Sequence, residues 1–546
     1  MKLSLNIFRT FFIAVLFSLA LTACASEPDQ GGGDSGSGED TGSSEESGQS
    51  AESGGSSSDD LVIATASDAT GLDPHGSNDV PSSNVQTNIF ETLVTQDENM
   101  EIQPNLATEW EQTSGTSWEF TLREGVTFHD GTEFNAEAVK ATFDRIRDEE
   151  IGSPRAFLYE MVTEVNVIDD YTVEFVTEYP FSPLPSHLAH NGGGIISPKA
   201  IEEDYAMMEE GEEPGTYLDE NPIGTGMFKL QEWDTGNELV LEKNEDYWGE
   251  AAGINTVTFQ VTPEDLTRVG ELETGAADII FPVSPSDTSR VENMQNASMY
   301  TQESLSLEYI SFNTEKEPFD DKRVRQAISM AVNKEDIVQG ILNGAATEAV
   351  APIGEQIFGF SDDVEGLPYD PEQAKELLAE AGYEDGFSTT LWTNDDRERQ
   401  DIAEVVQQQL QEIGVEVEIE VLEWGAYLDS TAQGEHDMFI LGWSTVTGDA
   451  DYGLYPLFHS DNKGEAGNRA FYKNEEVDTL LEQARREGDQ EERKALYEDV
   501  MEILVEDAPM IYSHHDDYLA GVNDNVEGFW MHPNGLYQLQ DVSISE

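Results

Sequence analysis

The sequence is poor in cysteine and in basic residues, and each scarcity excludes a class of protein. Cys24 is the only cysteine among 546 residues, so no disulfide can form within the chain. Lys and Arg together number 27, whereas Asp and Glu number 112, which gives a net charge of −85. Because a chain with this charge repels phosphate groups, the composition excludes a nucleic-acid-binding protein.

The excess of acidic residues has two explanations, calcium binding or a solvated surface suited to high salt. No loop with the calcium-binding pattern D-x-[DN]-x-[DN]-G and a distal Glu occurs, and the acids are spread along the whole chain. At high ionic strength the Debye length falls to about 3 Å, so the repulsion among like charges is screened. The composition therefore predicts a protein from a halophilic host, with a fold that dilute buffer destabilises.

Motifs of common catalytic sites are missing. The Gly-Lys dipeptide of a P-loop, the Gly-x-Ser-x-Gly elbow and the His-Glu-x-x-His zinc motif do not occur. His187 and His190 could share a helix face, but the adjacent His514 and His515 would point to opposite faces of a strand. Carboxylate pairs carry no information among 112 acids. The sequence predicts a binding protein with no cofactor and no metal, and a secreted hydrolase is the alternative from another class.

Long hydrophobic runs are also scarce. The run at residues 11–20 follows a positively charged start and is too short to span a membrane comfortably. It leads into Leu21-Thr22-Ala23-Cys24, which resembles the bacterial lipobox, whose cysteine is lipidated after cleavage. We therefore expect residues 1–23 to be a lipoprotein signal peptide and Cys24 to anchor the mature protein outside the cytoplasmic membrane. A plain secretory signal with an incidental cysteine is the alternative.

The remainder of the chain divides into a linker and a folded body. Residues 24–60 are Gly, Ser, Asp and Glu with almost nothing apolar, which predicts a flexible acidic linker. The body is too long for one ordinary core and predicts two or three lobes. Asp370 caps a helix that ends at Gly382. A second helix runs from about Glu398 to Gly414 and is followed at once by a strand, an order that predicts mixed α/β lobes. Earlier in the body, residues 84–94 predict a helix that leads to a strand edge, and Asn135 is the predicted cap of a helix through Ile146.

One segment combines several features of a ligand site. The apolar run at residues 438–441 predicts a buried strand, which breaks into a loop rich in glycine and hydroxyl groups. Ligands of α/β proteins bind where such strands end. Gly442 and Gly448 allow a tight turn or a close approach to a ligand. The candidate ligand-binding residues of this loop are Trp443, Ser444, Thr445, Thr447, Asp449 and Asp451, and the alternative is a surface turn with a core tryptophan.

Several motifs in one order resemble a known family. The first is the string at residues 106–145, which contains Arg123-Glu124-Gly125-Val126-x-Phe128-His129-Asp130-Gly131. The later motifs lie at residues 221–228, 244–249, 312–314, 324–328 and 331–334. Together they resemble the family 5 extracellular solute-binding proteins, which are the peptide- and nickel-binding components of ABC importers. The resemblance covers essentially the whole chain after residue 60.

The resemblance implies an α/β, two-lobed periplasmic-binding-protein-like fold of type II, which closes by a hinge over a central cleft. The first lobe carries an extra subdomain, and the chain returns to this lobe at its end. In this sequence we expect the first lobe at residues 61–306 with the subdomain at about 95–220, the second lobe at 307–514, and the return at 515–546. The implied partners are a short peptide ligand and the permease subunits of an ABC importer.

The resemblance also implies an arginine that binds the ligand carboxylate, in the segment that starts at Trp392. Arg397 matches best by its spacing from Trp392, and Arg399 is second. A surface salt bridge to neighbouring acids is the alternative for both. Three further candidates rest on position alone and are Ser67, Asn88 and Asn313.

The ligand itself follows from details of the 441–453 segment. Dipeptide-binding members place an ammonium-binding aspartate three residues after the tryptophan, where this sequence has Val446. The continuation Ser444 to Tyr452 instead resembles the glutathione-binding members, as do residues 471–474 and 528–533. In this interpretation Asp449 or Asp451 holds an amino group, and the hydroxyl and N–H groups of residues 444–447 hold a carboxylate. Because glutathione has two carboxylates, a second basic or N–H-rich anchor is expected. A nickel chelate or a longer oligopeptide is the alternative ligand.

Overall fold

The computed structural model describes residues 59–464 and 467–545. The predicted signal peptide, the lipidation site Cys24 and nearly all of the predicted linker lie outside these described residues. Within the described part of the chain, no helix is long and apolar enough to cross a membrane.

The described residues contain the following strands and helices. The strands are β1 Asp60–Thr65, β2 Val94–Gln96, β3 Ile102–Pro104, β4 Ala107–Ser114, β5 Ser117–Leu122, β6 Val162–Asp169, β7 Thr172–Thr177, β8 Phe228–Asp234, β9 Glu238–Lys243, β10 Thr256–Val261, β11 Ile279–Phe281, β12 Ala297–Glu303, β13 Ser306–Phe312, β14 Ala346–Glu348, β15 Phe387–Asn394, β16 Val415–Leu422, β17 Met438–Ser444, β18 Met510–Asn523, β19 Val526–Glu527, β20 Trp530–Met531, β21 Tyr537–Gln538 and β22 Ser543–Ile544. The helices are α1 Val80–Ile89, α2 Ala136–Ile146, α3 Leu184–Ala189, α4 Pro198–Glu210, α5 Thr216–Glu220, α6 Asp265–Thr274, α7 Thr288–Glu292, α8 Lys322–Ala331, α9 Lys334–Gly340, α10 Pro371–Glu380, α11 Arg397–Glu412, α12 Trp424–Ala432, α13 Ala450–Phe458, α14 Glu475–Arg486 and α15 Gln490–Asp507. Short 3₁₀ turns occur at Ala156–Tyr159, Asn191–Gly193 and Ser460–Asn462.

Strand β18 connects two groups of strands. Its first half pairs with β13, where Ile310 lies opposite Ile511, and its second half pairs with β12, where Met299 lies opposite Gly521. The resulting order is β16-β15-β17-β13-β18-β11-β1-β10-β9-β8, with β12 and β14 also on β18. The chain passes between the two groups twice, once between β12 and β13 and once within β18.

Each group contains a set of parallel strands. In one group β1 lies between β10 and β11, and in the other β15 lies between β16 and β17. Parallel neighbours need long crossover connections, and helices α6 and α11 supply them. The pattern of strands alternating with helices that the sequence predicted is therefore confirmed.

A separate small sheet, β4-β5-β7-β6, packs against helix α2. Its core contains the aromatic rings of Phe120, Phe143 and Phe175, which are fully buried and meet edge to face. The predicted helix from Asn135 through Ile146 is confirmed, because the Asn135 side chain accepts the N–H groups of the first helical turn.

One predicted helix has different bounds in the structure. The sequence placed it from Asn84 to Val94, whereas α1 begins at Val80 and ends at Ile89. The carboxylate of Asp79 accepts the N–H group of Ser82 at 2.9 Å, so this residue is the cap that the prediction overlooked. Phe90 is extended and ends the helix before β2.

Candidate functional site

The carboxyl ends of both parallel sets face the region where the chain passes between the two groups of strands. At the end of β17, Ser444 lies opposite Ser306, the first residue of β13 after the passage. Beyond the end of β11, the Val283 N–H group donates to the Leu519 carbonyl at 2.8 Å, near the middle of β18. Since carboxyl ends of parallel strands are the usual ligand sites of α/β proteins, the space between these two edges is the candidate cleft.

The first wall of the cleft contains a small cavity with a volume of about 110 Å³ at the ends of β1, β10 and β11. Its lining is mostly apolar and includes Phe259, Phe281 and Tyr537. Ser67, predicted as a ligand residue, is exposed and lines this cavity. The wall therefore offers aromatic surface and the exposed hydroxyl group of Ser67 to a ligand.

The second wall contains the predicted tryptophan and the end of β17. The Trp443 indole N–H group donates to the Tyr452 carbonyl at 2.9 Å, and the two rings lie 5.3 Å apart. Ser444 is exposed at the strand end, whereas Thr445 and Thr447 are buried. Among the three predicted hydroxyl groups, Ser444 is thus the exposed one.

The predicted loop is shorter than the sequence suggested, because it is bounded by two regular elements. Strand β17 continues to Ser444 and helix α13 begins at Ala450. Gly448 has a φ of 67°, which suits the turn between them. Asp449 caps the helix through the Asp451 N–H group at 2.9 Å.

Both carboxylates of this segment are already paired with arginines. Arg493 donates to Asp449 from Nη1 at 2.8 Å and again from Nη2, and both side chains are at most 2% exposed. Arg485 donates to Asp451 from Nε at 2.7 Å and from Nη2 at 3.1 Å. Burial lowers the pKa of Arg493, but Asp449 more than reverses this, so its pKa is raised. In this structure neither carboxylate is free for a ligand ammonium group.

The two predicted arginines differ in their environment. Arg397 is 86% exposed at the start of α11, and its one ion-pair partner among the described residues is Asp401, one turn along, at 3.1 Å. Arg399 is 18% exposed and donates to Glu308 at 2.9 Å and 3.2 Å. Burial raises the pKa of Glu308, and the neighbouring Arg399 opposes this rise. A Cβ at Gly442 would collide with the Glu308 carboxylate, so glycine is needed there.

The remaining predicted residues have internal roles or lie beside the cleft. Asn313 donates to the Gly434 carbonyl at 2.9 Å and braces a loop. Trp392 packs against the core beside the His436 ring, 6.4 Å away. Asn88 is buried on α1, where its amide donates to the Asn84 carbonyl at 2.8 Å.

Three residues of this region were missed from the sequence, namely Glu308, Arg485 and Arg493. Each pairs with a residue at least 34 positions away, at separations of 91, 34 and 44. In a chain with 112 acids, spacing alone gives no signal for such pairs. The structure is what brings them together.

The sequence profile of the bacterial extracellular solute-binding proteins, family 5 Middle, matches residues 101–465. The match covers more than half of the chain. The chain belongs to this family of solute-binding proteins.

Individual family members align over most of their length. The glutathione-binding protein GsiB of Salmonella typhimurium is 33% identical over 494 residues, which cover 89% of this chain and 94% of the relative. The structure of HbpA2 from Haemophilus parasuis has a TM-score of 0.82 and 30% identity, covering 89% of this chain and all of that one. DppA from Helicobacter pylori, in complex with the peptide STSA, has a TM-score of 0.73 and 32% identity, covering 89% and 98%.

These similarities confirm the predicted fold class, an α/β fold with two lobes of the periplasmic-binding type. We call the group of strands around β1 the first lobe and the group around β15 the second lobe. The relatives are solute-binding proteins rather than enzymes, as the absence of catalytic motifs suggested.

Proposed function

We propose that this protein is the lipid-anchored, extracytoplasmic substrate-binding protein of an ABC importer, which captures glutathione or a similar short peptide and delivers it to the permease. The observation that carries the proposal is the 33% identity to a glutathione-binding protein over 94% of that relative's length. The cleft between two strand edges, lined by aromatic and hydroxyl groups, supports the same ligand class. Lipidation at Cys24 rests on the lipobox-like sequence.

The hinge of the proposed capture motion lies where the chain passes between the lobes. The two passages are residues 303–306 and the middle of β18, near Asp516 and Asp517. These positions lie close to the lobe boundaries expected at residues 306 and 514. Rotation at two adjacent strands would close the cleft without disturbing either core.

Arg397 is the proposed anchor for a ligand carboxylate. An exposed ion pair along one helix contributes only about 0.3–0.5 kcal/mol, so Arg397 can leave Asp401 for a ligand at little cost. Arg399 is held by two hydrogen bonds to Glu308 and would lose more. Asp449 and Asp451 contribute to the site by fixing the shape of the segment that carries Ser444.

Calorimetry of the purified full-length protein in high salt tests this proposal. Glutathione, a dipeptide and a tetrapeptide pool are titrated in turn. Tight binding of glutathione with weak binding of the others is the expected result. If the peptides bind and glutathione does not, the transport role stands but the proposed ligand is wrong. If none of these ligands binds, the proposal is contradicted.

The alternatives have distinct readouts in the same preparation. A nickel-chelate binder would copurify with metal or change its absorbance when nickel–histidine is added. A secreted hydrolase would turn over the titrated peptide, which mass spectrometry of the ligand after incubation would reveal. We expect intact ligand and no bound metal.

A further inference from the structure

A second cavity, which is polar and has a volume of about 130 Å³, lies in the first lobe beside helix α1. Asn84 lines the apolar cavity at the ends of β1, β10 and β11. Asn88, one turn further along helix α1, lines the polar cavity. Tyr537 lines both cavities. On the other side, the Gln96 amide lines the cavity and donates to the Thr447 carbonyl of the second lobe at 3.0 Å. The cavity therefore adjoins both walls of the cleft.

Neutral polar groups dominate the wall of this cavity. Carboxamides come from Asn88, Gln96, Asn191 and Asn534, and an imidazole comes from His532. Ligand pockets for whole small molecules usually have about 300–1,000 Å³, so a cavity of this size suits one side chain or terminal group of a ligand.

Two hydrogen-bond donors in the wall are available for a ligand acceptor. The Asn191 Nδ2 atom is buried and has no partner among the described residues. The Asn534 N–H group donates to Nδ1 of His532 at 3.2 Å, so in the neutral ring Nε2 carries the proton and is a donor. Burial lowers the pKa of His532 to about 4, which keeps the ring neutral at neutral pH.

The described residues of the wall provide no charged group that is available to pair with an ionic ligand. Among the described residues, no lysine or arginine lines the cavity. The one carboxylate in the wall, Glu91, already accepts hydrogen bonds from Thr225 at 2.7 Å, Tyr247 at 2.8 Å and Trp248 at 2.8 Å. A ligand carboxylate entering this space would lose its water without gaining a counter-ion and would lie near Glu91.

We propose that this cavity is a specificity subsite for an uncharged carboxamide side chain of the ligand, that of glutamine or asparagine. A carboxamide presents an acceptor to the free N–H donors of Asn191 and His532. It also presents a donor to the amide oxygens of the wall. The inference rests on the proposed peptide-binding function and adds a preference for amide over carboxylate at one ligand position.

Calorimetry with isosteric ligands tests this inference. Three pairs of tripeptides carry Gln or Glu at the first, second or third position and alanine elsewhere. At one position, Gln is expected to bind at least tenfold more tightly than Glu, and the other positions measure the general repulsion of an extra negative charge. High salt minimises that repulsion.

Variants then locate the preference in the cavity. Asn191→Ala and Asn534→Ala should each reduce the Gln preference severalfold, whereas Asn293→Ala, an exposed asparagine at the end of α7, should not. Equal binding of Gln and Glu at every position would overturn the inference while leaving peptide binding intact. A preference that persists in both cavity variants would also overturn it. If neither the tripeptides nor glutathione bind, the proposed function fails and this inference fails with it.

Discussion

At the scale of single residues, the buried ion pairs decide which charged groups remain for a ligand. Asp449 and Asp451, the residues predicted to hold an amino group, are held by Arg493 and Arg485. Arg397, predicted to hold a carboxylate, keeps its guanidinium at the surface. The pairing thus leaves the exposed Arg397 as the proposed cation for a ligand and engages the two carboxylates, Asp449 and Asp451, with arginines.

Asp449→Asn should destabilise the protein strongly, because it leaves the guanidinium of Arg493 buried without a counter-ion. Breaking such a pair costs about 3–5 kcal/mol. Urea unfolding in high salt measures the change in free energy. The matched control is Asp401→Asn, whose partner Arg397 is exposed, and its expected cost is below about 1 kcal/mol. Equal losses in both variants would contradict a stabilising role for the buried pair.

Arg397→Ala should weaken binding of a carboxylate-bearing ligand by about 10- to 150-fold, as expected for one charge-assisted hydrogen bond. Its unfolding free energy should stay nearly unchanged, because the side chain is exposed. Arg399→Ala should instead lower stability, since Glu308 would lose its two charge-assisted bonds. Calorimetry and urea unfolding separate the two effects, and an unaltered ligand affinity in Arg397→Ala would remove that residue from the site.

Sequence reasoning located the ends of strands better than the contacts of side chains. Strand β15 ends at Asn394, two residues after Trp392, and helix α11 begins at Arg397, since local composition determines both. The pairing of Asp449 with Arg493 depends on how α15 packs against β17 and α13, and this packing has no local signature. Spacing along the sequence therefore predicts the roles of residues in the 441–453 segment less well than it predicts where strands and helices end.

At the scale of secondary-structure elements, helix α14 carries polar contacts between the lobes. The Arg485 guanidinium lies 3.3 Å from the ring centre of Tyr455 in its own lobe and 5.7 Å from that of Tyr179 in the first lobe. The Arg485 carbonyl accepts the N–H group of Ser182 at 2.8 Å. Arg485 also pairs with Asp451. We therefore expect closure of the two lobes to be coupled, through Arg485, to the shape of the segment at residues 444–451.

Tyr179→Ala should favour the open arrangement of the lobes. A cation–π contact contributes about 0.5–2 kcal/mol, so ligand affinity should fall by about 2- to 30-fold, mainly through faster dissociation. Electron–electron distances between spin labels on the two lobes would show a larger open population without ligand. Tyr171→Ala, which removes a partly buried tyrosine hydrogen-bonded to Glu133 in the same lobe, is the control. An unchanged distance distribution would show that this contact does not hold the lobes together.

At the scale of the whole molecule, the net charge of −85 determines how the fold responds to salt. Raising KCl from 0.1 M to 1 M shortens the Debye length from about 10 Å to about 3 Å and weakens the self-repulsion. The melting temperature should rise markedly over this range. Sucrose at equal osmolality is the control for solvent exclusion, because it screens no charge. A melting temperature indifferent to KCl would contradict adaptation to a salty environment.

Acidification should destabilise the fold through its buried histidines. Burial lowers the pKa values of His75, His129, His187, His190, His436, His515 and His532, to about 4 for His129 and about 3 for His436. In the unfolded chain they protonate near pH 6.5. Below that pH the unfolded state binds more protons, so each such histidine removes up to about 1.4 kcal/mol of stability per pH unit until its folded pKa is reached. The carboxyl groups with raised pKa values, such as Glu308, act in the opposite direction and reduce this loss of stability.

Urea unfolding from pH 7.5 to pH 5 in high salt measures the pH effect. His436→Phe should flatten the decline, because its ring is buried among Trp392, Phe439 and Phe471 and has no hydrogen-bond partner among the described residues. A decline that is as steep in this variant as in the parent protein would exclude His436 as a contributor.

The position of β18 in the chain also determines when folding can finish. This strand starts at residue 510 of 546, yet it lies between β13 and β11 at the centre of the strand order. When the polypeptide emerges amino end first, every other strand of the large sheet is available while the central one is still missing. Neither half of the large sheet can be completed until residues 510–523 have emerged, so the topology delays complete folding until a late stage of synthesis.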